Sequence, residues 1–285
     1  MSDEWLCEDQ APGVRLCLKV KARLHEGSTA HQRIEIAATE RVGRVLALDG
    51  RFMLSERDEA FYHEMLVHPA LLSHPAPRRI LVAGGGDGGA LRQVLAHPSV
   101  EEAILVEIDP EVIEAARRHL GAVHRGAFED PRVRVVTAPA EGFVPEHRAA
   151  FDALIVDSPD PVGPGAALFT PRFLVACREA LQGGGVAAFQ AGSPFYAPDE
   201  LASLLAVLRP LFSYCAPYLG FVPVYPSGLW AYVLAGDRPL EVDGRVIEER
   251  FRARGIVTRY YTPRLHRAAF ALPRFVEELV VGGER

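Results

Sequence analysis

A chain of 285 residues, 49% hydrophobic and 24% charged, is long enough for one large domain, or a large and a small one, around a sizeable core. Its formal net charge of -6 argues against nucleic acid as a partner, which needs a basic surface, and is compatible with a cationic ligand. No stretch is apolar for long enough to span a bilayer, and the opening MSDEWLCEDQ has neither the basic start nor the apolar run of a signal peptide.

In chain order, Val14–Arg23 and Arg33–Ala38 alternate like strands and carry β-branched residues. Arg44–Leu48 and Arg51–Leu54 flank Asp49-Gly50, a hairpin turn signal. Asp58–Ser73 is predicted to be a helix with Phe61, Met65 and Leu72 on one side, kinked or ended by Pro69. His74-Pro75-Ala76-Pro77 is expected to be a linker and domain boundary. The pattern then changes. Strands Arg79–Ala83, Ala103–Val106, Val133–Thr137 and Phe151–Val156 alternate with helical stretches at Ala90–His97 and Glu111–Leu120, implying a parallel sheet covered on both faces. Helix Pro171–Leu181 is closed by Gly183-Gly184-Gly185, and strand Val186–Gln190 follows. Beyond it are expected a helix at Asp199–Leu208, β-like segments near Val222–Tyr225 and Trp230–Leu234, and helices at Val242–Arg254 and Leu265–Val281. Cys7, Cys17, Cys177 and Cys215 form no CxxC pair; they are expected to be reduced thiols of a cytoplasmic protein, with no metal site.

Gly84-Gly85-Gly86-Asp87-Gly88-Gly89 follows a strand and opens a helix, and Glu107 lies about twenty residues on, at the tip of the next strand. A dinucleotide would set its pyrophosphate beside Asp87 as an uncompensated like charge. A sulfonium nucleoside carries positive charge and no phosphate, and suits Asp87. A carboxylate such as Glu107 can hold ribose hydroxyls in either case. A second acidic loop, Asp157-Ser158-Pro159-Asp160-Pro161-Val162-Gly163-Pro164-Gly165, ends another strand and so lies on the same sheet edge. Carboxylates gathered there need a cation. An alkyl amine, with a pKa near 10 like that of lysine, must shed a proton before it attacks carbon, and Asp157 can accept that proton.

LALDG, DEAFYHEMLVHP, LVAGGGDGG, VEID, DSPDPVGPG, LFTPRF, VPVYPSG and RYYTPRLHRAAFALP, in this order from Leu24 to Val280, resemble the spermidine synthases (polyamine aminopropyltransferases). The resemblance implies an α/β fold: a small N-terminal β-domain over residues 1–74, with the start of a connecting helix, then a Rossmann-like, class I methyltransferase-like catalytic domain over 75–285. It implies transfer of an aminopropyl group from decarboxylated S-adenosylmethionine, a co-substrate, to a diamine or polyamine, with release of methylthioadenosine and no prosthetic group. A homodimer or homotetramer is expected from the same resemblance. By position, Gln32, His63, Gly84, Gly86, Asp87, Glu107, Ala140 and Pro164 would bind the donor. Asp157 would be the general base, and Tyr62, Asp157, Ser158, Asp160, Gln190 and Tyr225 would line the amine channel. Two positions depart from the family: Pro139 stands where an acid usually accepts the adenine amino group, and Met53 where Gln is usual. Pro159 also replaces a small polar residue. The alternatives are a transferase using S-adenosylmethionine itself, a nucleoside- or polyamine-binding paralogue without turnover, and a nicotinamide oxidoreductase. Asp87 opposes the first and last by charge.

Overall fold

The computed structural model describes residues 4–161, 163–238, 240 and 243–282, and of Pro164 and Gly282 only the backbone. Five antiparallel strands open the chain: β1 (Trp5–Ala11), β2 (Val14–Ser28), β3 (Arg33–Thr39), β4 (Arg44–Leu48) and β5 (Arg51–Ser55), paired in sequence order. β1 was not expected from the sequence, and its pairing overturns one expectation. The β1–β2 register sets Cys7 opposite Cys17, and the two form a disulfide, so only Cys177 and Cys215 are free thiols. Ten residues separate the pair along the chain, but a hairpin folds that separation onto itself.

Helix α1 (Glu59–Ser73) follows and is buried almost all round, Phe61 being its one half-exposed residue. It does not end at Pro69. A proline inside a helix frees the carbonyl four residues back, here Met65 O, and the Tyr218 hydroxyl donates to that carbonyl at 2.8 Å.

The second sheet is built from β6 (Arg79–Gly84), α2 (Gly89–Leu95), β7 (Glu102–Glu107), α3 (Pro110–His119), α4 (Gly121–His124), β8 (Val133–Thr137), α5 (Ala140–Phe143), β9 (Phe151–Asp157), α6 (Pro171–Ala180), β10 (Leu181–Gln190), α7 (Pro198–Leu208), β11 (Tyr214–Phe221) and β12 (Leu229–Gly236). The strand order is β11-β12-β10-β9-β6-β7-β8; β12 runs against the other strands, so its pairings with β10 and β11 are antiparallel. Its central strands are buried on both faces, so they are apolar throughout rather than alternating. Ile80 and Val82 join a core that runs through α1–α4 into the N-terminal sheet; Leu81 and Ala83 face α5, α6 and α7 on the other side.

Three elements differ from expectation. The strand near residue 222 lies earlier, at β11, and Val222–Tyr225 is a turn. Pro217 argues against a strand in the sequence, but β11 is the sheet edge, where proline is tolerated. The last long helix is two, α9 (Pro263–Ala269) and α10 (Arg274–Gly282), with Pro273 in the break. The glycine run after α6 lies within β10 instead of forming a separate stop. Helix α8 (Gly244–Ala253) precedes α9; Val242, its expected start, lies outside the described residues.

Candidate active site

The strand order reverses between β6 and β9, since β6 is followed on one side by β7 and on the other by β9. Ligands of open α/β sheets bind outside the carboxyl ends of the strands at such a reversal. Here the three strand ends deliver the glycine loop, Glu107 and Asp157, and Gly84 pairs in register with Asp157. Together they wall a chamber with about 820 Å³ of empty space, also lined by Gln32, Met53, Tyr62, Ala140, Glu141 and Tyr225. The loop must be glycine where it passes Asp157: Gly85 has φ +74°, and a Cβ there would lie 2.7 Å from Asp157 Oδ2.

A row of charges runs behind the chamber. Arg92 pairs with Glu59 at 2.9 Å, Glu59 Oε2 lies 3.1 Å from His63 Nδ1, and His63 Nε2 lies 3.3 Å from Asp87 Oδ1. Burial opposes charge on the His63 ring, but Asp87 and Glu59 outweigh it and raise its pKa to about 10. Conversely, burial would raise Asp87, and the His63 imidazolium holds it below the usual carboxylate range. Both Asp87 bonds, from His63 and from Gly89 N–H at 2.7 Å, fall on Oδ1. His63, Asp87 and Asp157 bring one ligand atom each within 4.8 Å of one another. An imidazolium between two carboxylates has no lone pair for a metal, so the geometry suits an organic cation.

Asp157 differs from Asp87. Burial, with the nearby Asp87 charge, raises it to about 6, against the opposing pull of His63 and Tyr62. Tyr62 Oη donates to its Oδ1 at 2.8 Å, while Oδ2 has no hydrogen-bond partner. Burial keeps the Tyr62 phenol protonated, well above its ordinary range. Glu107 is also pushed up to about 7, chiefly by burial, although its oxygens accept the N–H groups of Gly86 and Asp109.

Gln32 donates to Asp109 Oδ2 at 3.0 Å, and Asp109 Oδ1 caps α3 through Glu111 N–H. Ala140 and Glu141 line the chamber. Pro139 caps α5 by its backbone position, without a side-chain bond. The Pro164 side chain lies outside the described residues. His63 stands behind Asp87 and packs on Gly89, not in the chamber wall.

A second, smaller chamber of about 320 Å³ opens beyond Tyr62, Ser158 and Tyr225, and is lined by Glu8, Arg51, Asp160, Gln190 and Trp230. Tyr225 Oη donates to Met53 O at 2.5 Å, and its ring meets Tyr62 edge-on at 5.3 Å. Gln190 is tied at both ends, donating to Pro159 O at 3.2 Å and accepting from Gly192 N–H at 3.0 Å. Asp160 pairs with Arg51 at 2.7 Å.

Sequence reasoning missed Glu59, Asp109, Glu8 and Arg51. The i, i+4 spacing of Glu59 and His63, and the Asp-Pro start of α3, were available signals for the first two. No local signal marks the others, which converge only through tertiary folding.

The model of the spermine/spermidine synthase domain matches residues 59–243, and that of the spermidine synthase tetramerisation domain matches residues 4–56. The chain is 41% identical over 278 residues to a polyamine aminopropyltransferase of Caldicellulosiruptor bescii, covering 97% of this chain and 98% of the relative. It is 40% identical over 278 residues to one of Bacillus mycoides, with the same coverage. Among solved structures, it resembles a spermidine synthase in complex with the transition-state analogue AdoDATO, with a TM-score of 0.94 and 39% identity, covering 99% of this chain and 96% of that one. The spermidine synthase from Thermotoga maritima gives a TM-score of 0.92 at 37% identity, covering 99% and 95%.

Proposed function

The chain belongs to the spermine/spermidine synthase family, and from that premise we propose how its two chambers work, with Asp157 as the base. The reaction moves an aminopropyl group from decarboxylated S-adenosylmethionine to a polyamine acceptor and releases methylthioadenosine. One observation carries the assignment of roles: Asp157 lines the donor chamber with an unbonded oxygen, beside Tyr62 and Ser158, which line both chambers.

In this reading Asp87 holds the aminopropyl ammonium and Glu107 the ribose hydroxyls, with Gln32, Gly84, Gly86 and Ala140 shaping the donor chamber. His63 keeps Asp87 ionised and in place. The acceptor's ammonium gives a proton to Asp157 Oδ2, while Tyr62 steadies Oδ1. The neutral nitrogen then forms a bond to the methylene beside sulfur, the C–S bond breaks, its electron pair neutralises the sulfonium, and the product leaves as a secondary ammonium. Ser158, Asp160, Gln190 and Tyr225 line the acceptor's path. The tetramerisation match on residues 4–56 supports a homodimer or homotetramer assembled through the N-terminal sheet. The sequence reading of a cytoplasmic location stands as part of this proposal; among the described residues no helix is long and apolar enough to cross a membrane.

The decisive experiment incubates the protein with labelled decarboxylated or ordinary S-adenosylmethionine and a panel of amines, and identifies products by mass spectrometry. Aminopropylated amine and methylthioadenosine from the decarboxylated donor alone are expected. Methylated or aminocarboxypropylated product would replace this reading.

The adenine end yields a separate prediction. Pro139 offers neither a carboxylate nor an N–H, so Pro139→Asp should tighten methylthioadenosine binding by about tenfold to a hundredfold, from one regained hydrogen bond of roughly 1–3 kcal/mol. Asp also favours the N-cap position, and there it could bond α5 instead. Calorimetry measures affinity and a thermal melt measures stability. Higher Tm with unchanged affinity would show that the new carboxylate caps the helix and that another group serves the adenine.

A further inference from the structure

The acceptor chamber does not end at Asp160. Arg51, Asp160, Pro226 and Trp230 line both it and an outer basin with about 1390 Å³ of empty space that opens to solvent and is also walled by Glu200 and Ser193. The Arg51–Asp160 pair therefore stands at the junction of the two. Two more carboxylates flank it. Glu8, buried on β1, is pushed to about 7 by burial, against Gln10, the Phe52 backbone and Arg51. Glu200, half-buried on α7, is pushed to about 7 by burial and by Asp160, against Arg51. Glu200 fills the space beside Gly192, where a Cβ would strike its Oε2.

Charge decides what this passage accepts. Arg15 and Asp9 in the basin pair with each other at 2.6 Å. Among the described residues, that leaves Glu8, Asp160 and Glu200 facing the guanidinium of Arg51, so the passage holds more carboxylates than cations. Two buried groups point to a ligand independently of the acids. Ser158 Oγ, in a residue 7% exposed, has no hydrogen-bond partner and can accept an N–H. Trp230, 5% exposed, walls both chambers with an indole, the ring that best attracts a cation.

Resting on the aminopropyl-transfer reading, we propose that Arg51 and Glu200 set acceptor length: Arg51 occupies Asp160 and weakens its hold on a diamine, whereas a linear triamine passes the pair and sets its terminal ammonium against Glu200. Arg51 and Glu200 are specificity residues in this scheme and take no part in bond making.

The test uses the full chain, saturating decarboxylated donor, and two acceptors: 1,4-diaminobutane and its mono-N-aminopropyl triamine. Wild type is expected to show a kcat/KM at least fivefold higher for the triamine. Glu200→Gln should raise the triamine KM about tenfold and the diamine KM far less, with kcat for both within twofold. Arg51→Met should lower the diamine KM about tenfold, and thermal melts confirm that both variants fold. A wild type that prefers the diamine, or a Glu200→Gln that shifts both KM values equally, overturns the inference while leaving aminopropyl transfer intact. Failure of both amines with the decarboxylated donor would instead sink the reading beneath it.

Discussion

Asp157→Asn is expected to lower kcat by roughly a hundredfold or more, the usual scale for a general base, while methylthioadenosine binding stays within threefold. Asparagine keeps an oxygen for the Tyr62 hydroxyl, which lies 2.8 Å from Asp157 Oδ1 in the wild type, so the local structure is preserved. It loses the Oδ2 that accepts the proton. The pH profile gives an independent check. Asp157 is raised to about 6 by burial and by Asp87, so it is protonated below that pH and ionised above it. Wild-type kcat, measured at saturating donor and amine so that Glu8 and Glu200 in the amine passage do not enter, should therefore fall as pH drops through about 6, or somewhat lower once a cationic donor is bound. The Asp157→Asn profile should lack that limb. A variant with near-normal turnover at pH 7, or one that keeps the acid limb, would remove Asp157 from proton transfer.

Asp87→Asn is expected to weaken decarboxylated S-adenosylmethionine by about tenfold to a hundredfold, matching the roughly 1.5–3 kcal/mol of a hydrogen bond to a charged group. Ordinary S-adenosylmethionine carries an additional carboxylate that Asp87 repels, so its affinity should change by less than threefold. Methylthioadenosine, with neither group, serves as the control and should also hold within threefold. Titration calorimetry of all three ligands reads the pattern directly. The variant also removes the carboxylate that sustains the charge on His63, so His63 should titrate at lower pH. Equal losses for both donors would mean that Asp87 acts as a scaffold for the loop, through Gly89 N–H, and does not select the donor.

Much of the fold was legible because it rests on local chemistry. Asp49-Gly50 turns the β4–β5 hairpin, and Asp49 takes the positive φ that the turn requires. The glycine loop, Glu107 and Asp157 each end an apolar strand of a parallel sheet, and such strands deliver their ends to one edge. What escaped depends on distant partners. Pro217 is compatible with a strand only because β11 lies at the edge. Pro69 is compatible with a continuing helix only because Tyr218, far along the chain, takes the freed carbonyl. Cys7 and Cys17 became a pair through a register that requires β1 to exist. In the site, the carboxylates at the strand ends could be named, but Glu59 and Arg92 behind them could not. His63, expected among the donor-binding residues, lies behind Asp87 in a charge row with Glu59 and Arg92 and outside the chamber lining.

Several tethers of α1 come from late in the chain, beside those from Arg92, Asp87 and Asp157. Asp58, at its start, accepts Val224 N–H at 3.0 Å, and Glu64 accepts the backbone N–H groups of Arg259, Tyr260 and Tyr261 at 2.8 Å each. Its last carbonyls are taken by Arg250 and Arg254. Every residue assigned to donor, acceptor or proton transfer precedes Trp230, yet the helix carrying Tyr62 and His63 is locked by what comes near or after that point. Those side chains are thus held in part by segments that follow them, and losing those segments would loosen the helix without removing any of them. A chain stopped after Gly236 is expected to bind methylthioadenosine at least tenfold more weakly, and to exchange α1 amide hydrogens quickly. Slow exchange in α1 of that shortened chain would show that the helix sets without its late clamps.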